Sequence, residues 1–362
     1  MARKILFLFH LMIVVTVAYT QQLPAGFSVI KNNATSAVKN QGMSGTCWCF
    51  SSTSVTESEL LRMYNKNLEL SEAFTVWNLY LDKADKYIRR KGSARFSEGG
   101  LAQDVFYAID AYGAVPESVY PGTGKDIILD NDYKMHDELQ AYLDSILKNY
   151  PDTIPLNWKE GYKNILTGYL GVPPQSFEYN GKEYTPKTFA ATYVKIHLDD
   201  FEGFTSFTHH PYYAPFVLEV PDNYNSNIYY NLPLDSLIAI TRKSILKGYT
   251  VAWDVDASNN GFLYEKGFAM LLLQANDSAD VPHIKEASYN AKIRQILFDK
   301  QETQDDHLMQ ITGLAKDANG KEFFIVKNSW GKENPCAGYL LASKAYFAIN
   351  TLSILVNKNG AR

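Results

Sequence analysis

The chain of 362 residues predicts an α+β protein, because helical periodicity marks its first part and strand alternation its last. Two runs carry that reading. From Cys47 to Met63 there is no Pro or Gly, and Phe50, Val55 and Leu61 recur at roughly helical spacing. By contrast, Tyr249-Thr250-Val251-Ala252-Trp253-Asp254-Val255-Asp256 alternates as a strand. Between them, roughly Gly124 to Lys247, lies a stretch rich in Tyr, Asn and Pro.

Residues 1–20 stand apart from the fold. Arg3 and Lys4 are basic, Ile5 to Val17 is apolar apart from His10 and Thr16, and Ala18-Tyr19-Thr20 offers small residues near a cleavage point. This pattern predicts a signal peptide and an exported protein, periplasmic or extracellular. The apolar run is shorter than the about 20 residues of a comfortable span, so no stable membrane anchor is expected. No cysteine follows it to take a lipid anchor. Asn33-Ala34-Thr35 and Asn276-Asp277-Ser278 fit the glycosylation pattern.

A hydrophobic content of 46% supplies a sizeable core. The net charge of −4 is mild, and the only dense basic tract is Arg89-Arg90-Lys91, so no nucleic-acid partner is expected. Three cysteines, two of them two residues apart, make no disulfide framework.

The elements follow in order. In 21–123, a helix begins near Cys47, and a second begins after Ser71, a fitting N-cap for a run holding Phe74, Val76, Trp77, Leu79, Tyr80 and Leu81. Ser97-Glu98-Gly99-Gly100 breaks the chain before a helix from about Leu101 to Tyr112, which Gly113 ends. In 124–247, Leu139, Leu143, Ile146 and Leu147 mark an amphipathic helix stopped by Pro151. In 248–362, Leu308 to Leu314 reads as a strand, and Asp317-Ala318-Asn319-Gly320 turns it into Glu322 to Asn328.

Gly42, Ser44 and Gly45 read as a turn that places Cys47 in the first turn of its helix. Free backbone N–H groups and the helix dipole stabilise a thiolate there, and a neighbouring imidazolium can bring a cysteine pKa to roughly 3–4 from about 8.5. Gln41 can fold its amide back as an oxyanion donor beside the Cys47 N–H, an interaction worth about 3–4 kcal/mol in a transition state. Cys49 points roughly 200° away around the helix, toward the core, and is expected to be inert.

A cysteine nucleophile needs a base and a group that orients the base. The 308–328 hairpin brings His307 and Asn328 to one end of two paired strands. Asn328 is expected to accept the Nδ1 proton of His307 and leave Nε2 directed at Cys47. Trp330 would cover that hydrogen bond and exclude water. His209-His210 lacks partners at ligand spacing, so no metal or other cofactor is expected. His136, His197 and His283 read as surface or core residues.

Together these segments resemble the papain-like cysteine peptidases. Gln41-Gly42-x-Ser44-Gly45-x-Cys47-Trp48-x-Phe50-Ser51 is similar to the nucleophile segment, His307 to the base segment and Asn328-Ser329-Trp330-Gly331 to the third. Gly99-Gly100 resembles the family's glycine pair, and Tyr112 to Pro121 the pattern after it. Ser44 stands where secreted members usually carry a disulfide cysteine, and a long insertion separates the two catalytic halves. Both features resemble the bleomycin hydrolase and aminopeptidase C branch, as do Leu170 to Phe177 and Tyr184-Thr185-Pro186-x-x-Phe189.

The resemblance implies a two-lobed fold, with a helical lobe carrying Cys47, a β-barrel-like lobe carrying His307 and Asn328, and a largely helical insertion. It implies peptide substrates bordered by Gly99, Gly100, Asp306 and Trp330, with Asp306 at the pocket for the second substrate side chain. Members of the branch are commonly homo-oligomeric aminopeptidases whose C-terminal tail fills part of the cleft. Here about two dozen residues follow Gly338-Tyr339, a short tail for that purpose. The implied reaction is peptide-bond hydrolysis through an acyl-enzyme, as an aminopeptidase or an endopeptidase. Acyl transfer to an amine and peptide binding without turnover are the alternatives.

Overall fold

The computed structural model describes residues 23–122, 132–274 and 281–362. The segment 1–20 and the Asn276-Asp277-Ser278 pattern lie outside them. After strand β1 (Ser28–Asn32), helix α1 (Cys47–Tyr64) starts directly behind the glycine turn. Cys47 through Leu60 are all buried, although many are Ser, Thr or Glu. Ser51 Oγ donates to the Met309 carbonyl at 2.7 Å and Ser54 Oγ to Gln310 Oε1 at 2.6 Å. These small polar side chains let α1 lie close against a strand, with Ser52 Oγ left unpartnered among the described residues.

Helix α2 (Glu72–Arg89) begins where Ser71 Oγ accepts the Phe74 N–H at 3.0 Å. Helix α3 (Ala102–Tyr112) stops at Gly113, whose φ of 94° suits glycine. Helices α4 (Asp132–Asn149) and α5 (Trp158–Leu170) follow. The hairpin of β2 (Phe177–Tyr179) and β3 (Lys182–Tyr184) turns at Asn180-Gly181, both at positive φ. The short helix α6 (Pro186–Phe189) completes a helical lobe with Tyr80, Leu139, Leu143, Tyr162 and Phe189 in its core.

The remaining elements build one sheet and its far cover. They are β4 (Phe201–Thr205), β5 (Pro215–Val217), β6 (Ile228–Asn231), α7 (Leu234–Leu246), β7 (Val251–Val255), β8 (Phe262–Leu263), β9 (Phe268–Ala269) and α8 (Ala291–Asp299). Then come β10 (His307–Lys316), β11 (Glu322–Lys327), β12 (Tyr339–Ser343), α9 (Lys344–Asn350), β13 (Thr351–Asn357) and α10 (Lys358–Ala361). The order is β5-β6-β4-β13-β7-β10-β11-β12-β9-β8, with β1 also on β10. The α+β class stands, but among the described residues this half is an open sheet of 11 strands rather than a closed barrel. Three strands from within 124–247, β4, β5 and β6, extend the sheet outward past β13, so its ends stay apart.

Strand alternation fixes the layers. Ala252, Leu308 and Leu355 face the helical lobe, whereas Trp253, Met309 and Ile354 face α7 and α9 on the other side. The start of α1 therefore meets the start of β10 at the seam between lobes. A charged cluster also crosses this junction: Lys39 Nζ lies 2.9 Å from Glu72, 2.6 Å from Glu117 and 3.8 Å from Glu57. The Asn33 amide nitrogen donates to the Ile245 and Tyr249 carbonyls, which occupies the atom a glycan would need. No helix of the described residues is long and apolar enough to cross a membrane.

Candidate active site

Cys47 opens α1 and is 7% exposed. Its Sγ accepts the backbone N–H of Leu308 at 3.4 Å, which sets the sulfur beside the residue that follows His307. Burial pushes the thiol up to about 12, and the charges of Asp305 and Asp222 add to the rise. The N–H groups of Leu308 and Trp48 oppose it. Desolvation thus works against the low thiol pKa expected from the helix start. Cys49 is fully buried, with its Sγ 3.7 Å from the Glu72 carbonyl.

His307 begins β10 and is 4% exposed. Its Nε2 lies 2.8 Å from Asn328 Oδ1, an oxygen that also accepts the Ser329 N–H. Because Oδ1 is thereby an acceptor, Nε2 carries the imidazole proton and Nδ1 keeps its lone pair. This reverses the nitrogens expected from sequence. The two strands pair only from Gln310 opposite Lys327, so the imidazole reaches Asn328 across an unpaired strand end, with its far nitrogen. Burial lowers the imidazole to about 4, while the Asn328 hydrogen bond works upward. Trp330 stacks on the ring at a centroid distance of 4.6 Å, and Phe262 meets the indole edge-on at 5.7 Å.

Gln41 is buried between the two loops. Its Nε2 donates to the Ser44 carbonyl at 2.7 Å, and its Oε1 accepts Ser329 Oγ at 2.6 Å. The Gln41 N–H bonds the Ser329 carbonyl and the Gly331 N–H bonds the Lys39 carbonyl, so residues 39–41 are stitched to 329–331. One Nε2 hydrogen remains uncommitted to Ser44.

The glycine pair is held from below. Trp48 Nε1 donates to the Glu98 carbonyl at 2.9 Å, and a Cβ on Gly100 would sit 3.0 Å from the Trp48 ring. Gly99 is covered: a Cβ there would fall 1.8 Å from Asp222 Oδ2. Asp306 turns away, its Oδ1 accepting the Ala257 N–H at 2.8 Å, and Asp305 is the acid of that pair whose charge acts on Cys47. The Asp305-Asp306 doublet was visible next to His307. Nothing in the Tyr- and Asn-rich middle pointed to Asp222.

The C-terminal residues lie elsewhere. Lys243 of α7 donates to the carbonyls of Ala361 and Arg362, on the sheet face away from Cys47. His209 and His210 do find an acid: Glu219 lies 3.2 Å and 2.6 Å from their Nε2 atoms. Gln295 Nε2 donates to His209 Nδ1, and its Oε1 is fixed by the Thr208 N–H, so the His209 proton belongs on Nε2. Glu219 thus accepts from the His209 imidazole, and the ligand atoms of His209, His210 and Glu219 all lie within 4.8 Å of one another, a grouping that the sequence spacing does not show.

The chain matches the Peptidase C1-like family over residues 93–361 and the papain family cysteine protease over residues 23–151. It belongs to the Peptidase C1-like family. The Peptidase C1-like match contains His307 and Asn328, the papain match contains Gln41 and Cys47, and Gly99-Gly100 lies in both. The chain is a cysteine peptidase. Aminopeptidase C of Streptococcus thermophilus is 24% identical, covering 89% of this chain and 80% of its own length. Aminopeptidase C of Listeria innocua is 26% identical, with coverage of 90% and 80%. The crystal structure of PepW from Lactobacillus rhamnosis HN001 shares the fold at a TM-score of 0.70 and 23% identity, covering 92% of this chain and 82% of that one.

Proposed function

We propose that this peptidase is an aminopeptidase in which Cys47 attacks the scissile carbonyl and His307 moves the proton. The observation that carries the roles is the Leu308 N–H on the Cys47 sulfur, one residue from an imidazole bound to Asn328. Nδ1 of His307 takes the thiol proton as the C–S bond forms, then gives it to the leaving amine. The resting thiol and neutral imidazole make this general-base catalysis at the moment of attack. The free Nε2 hydrogen of Gln41 and the Cys47 N–H hold the oxyanion, and water then releases the acid product. The aminopeptidase names of relatives that align along most of the chain support release from the amino terminus.

Fluorogenic peptides with a free and a blocked amino terminus, given to the wild type and to Cys47→Ala, test this reading. Loss of all cleavage in Cys47→Ala and preference for the free terminus support it. Full activity in the variant, or equal cleavage of both peptides, overturns it. We also propose export, on the strength of Arg3, Lys4 and the apolar run Ile5 to Val17. Fractionation of expressing cells, with sequencing of the amino terminus, would reject export if the protein stays inside with residues 1–20 attached.

A further inference from the structure

A peptide that pairs its backbone with Gly99 meets an obstacle built from this chain. The loop from Pro221 to Asn227 lies across that glycine, and Asp222 Oδ2 occupies the space that a Cβ on Gly99 would take. The loop is anchored rather than draped. Asn223 Nδ2 donates to the Leu218 and Asn227 carbonyls, both at 2.9 Å, and its Oδ1 accepts the Asn227 N–H at 2.6 Å. Asn227 Nδ2 reaches Asp104 Oδ1 at 2.9 Å at the start of α3. The Tyr224 ring lies 4.6 Å from Lys86 Nζ on α2.

The carboxylate itself is half committed. Oδ1 accepts Ser97 Oγ at 2.8 Å and faces Arg95 Nε at 3.3 Å. Oδ2, the oxygen over Gly99, accepts no hydrogen bond among the described residues. Gly99 adjoins Gly100, which packs on Trp48, the residue after Cys47, and the Asp222 charge acts on the Cys47 thiol.

We propose that the Pro221–Asn227 loop ends the substrate cleft and that Asp222 binds the α-ammonium group of the peptide, which makes it the residue that selects free amino termini. The proposal rests on the aminopeptidase reading above and names the group responsible. A chain extending past Asp222 collides with the loop, so the peptide stops there, and the group it presents is a cation with hydrogens to give. A fixed carboxylate with an open oxygen is the matching partner. The loop is already seated, so binding requires no ordering of it.

The test compares kcat/KM for a free-amine peptide and its N-acetyl counterpart in the wild type, Asp222→Asn and Asp222→Ala. Active sites are counted with a thiol-alkylating reagent that reports Cys47. Asp222→Asn retains an oxygen for Ser97 and is expected to lose about ten- to a hundredfold on the free-amine peptide, mostly through KM. The N-acetyl peptide should be unaffected in Asp222→Asn and cleaved faster by Asp222→Ala. If the wild type prefers the free amine and Asp222→Asn keeps that preference, the Asp222 assignment falls and the aminopeptidase reading stands. If the wild type cleaves both equally, the aminopeptidase reading itself fails, and this proposal with it. Equal losses on both peptides in either variant, with the thiol count intact, also overturn the assignment.

Discussion

The indole of Trp330 lies over the imidazole of His307, with centroids 4.6 Å apart and planes inclined by 30°. The contact covers a hydrogen bond that carries no net charge, the one from His307 Nε2 to Asn328 Oδ1. Keeping water from that bond holds the tautomer that leaves Nδ1 basic. Trp330→Ala is expected to lower kcat/KM about tenfold, in line with an aromatic contact of ~0.5–1.5 kcal/mol. Trp330→Phe should recover most of the loss. Steady-state kinetics decide, and equal rates in Trp330→Ala and wild type would contradict the covering role.

Asn328 acts on the imidazole pKa as well as its tilt. Burial lowers His307 to about 4, and the Asn328 acceptor resists that fall. A base with that pKa is competent until the pH drops through about 4, where protonation removes the Nδ1 lone pair. Asn328→Ala should cut kcat about ten- to a hundredfold by leaving a buried donor unmatched. Asn328→Asp places an anion against Nε2, so the acid limb of the rate profile should move to higher pH. An unmoved limb in Asn328→Asp would refute the assignment of that limb to His307.

Asp305 offers a stability measurement independent of turnover. Burial raises its carboxyl to about 7, with Asp222 adding to the rise, and it shares a hydrogen bond with the buried Asp254. A carboxyl raised on folding holds its proton in the native state after the unfolded chain has lost it. Its stabilising contribution is therefore complete below the unfolded value of about 4 and is lost as the pH rises through about 7. Asp305→Asn should flatten the fall in Tm across that window and raise Tm by a few degrees at neutral pH. Thermal denaturation from pH 4 to pH 8 checks it, and parallel curves would refute it.

What the sequence disclosed divides by range. Helix starts and strand alternation are local, so Cys47 at the head of α1, the Ser71 cap and the hairpin carrying His307 and Asn328 could be read directly. The sheet's openness could not, because β4, with β6 and β5 beyond it, joins β13 over more than a hundred residues of chain. The nitrogens of His307 were reversed for a similar reason: which one reaches Asn328 depends on where the strand pairing stops. Asp222 was invisible because its significance is purely spatial, a loop residue in a motif-free region that lands on Gly99. The upward push on the Cys47 thiol is not legible either, because a helix N-terminus shows in sequence and burial does not.

Lys39 joins the charged cluster at the junction to the catalytic loops. Its Nζ pairs with Glu72 and Glu117 and approaches Glu57, while its carbonyl accepts the Gly331 N–H. Lys39→Met leaves three carboxylates facing one another, two of them almost fully buried. Breaking such a buried arrangement typically costs about 3–5 kcal/mol. Burial works to raise the Glu72 carboxyl above the ordinary carboxylate range, and Lys39 is the group that pulls it down most. Without Lys39 the carboxyl rises further, and taking up a proton relieves the repulsion within the cluster. The loss of Tm in Lys39→Met should therefore be larger at pH 8 than at pH 5, and adding Glu72→Gln should restore part of it. A loss independent of pH, unrelieved by Glu72→Gln, would mean that Lys39 contributes packing alone and that the junction is not held by charge.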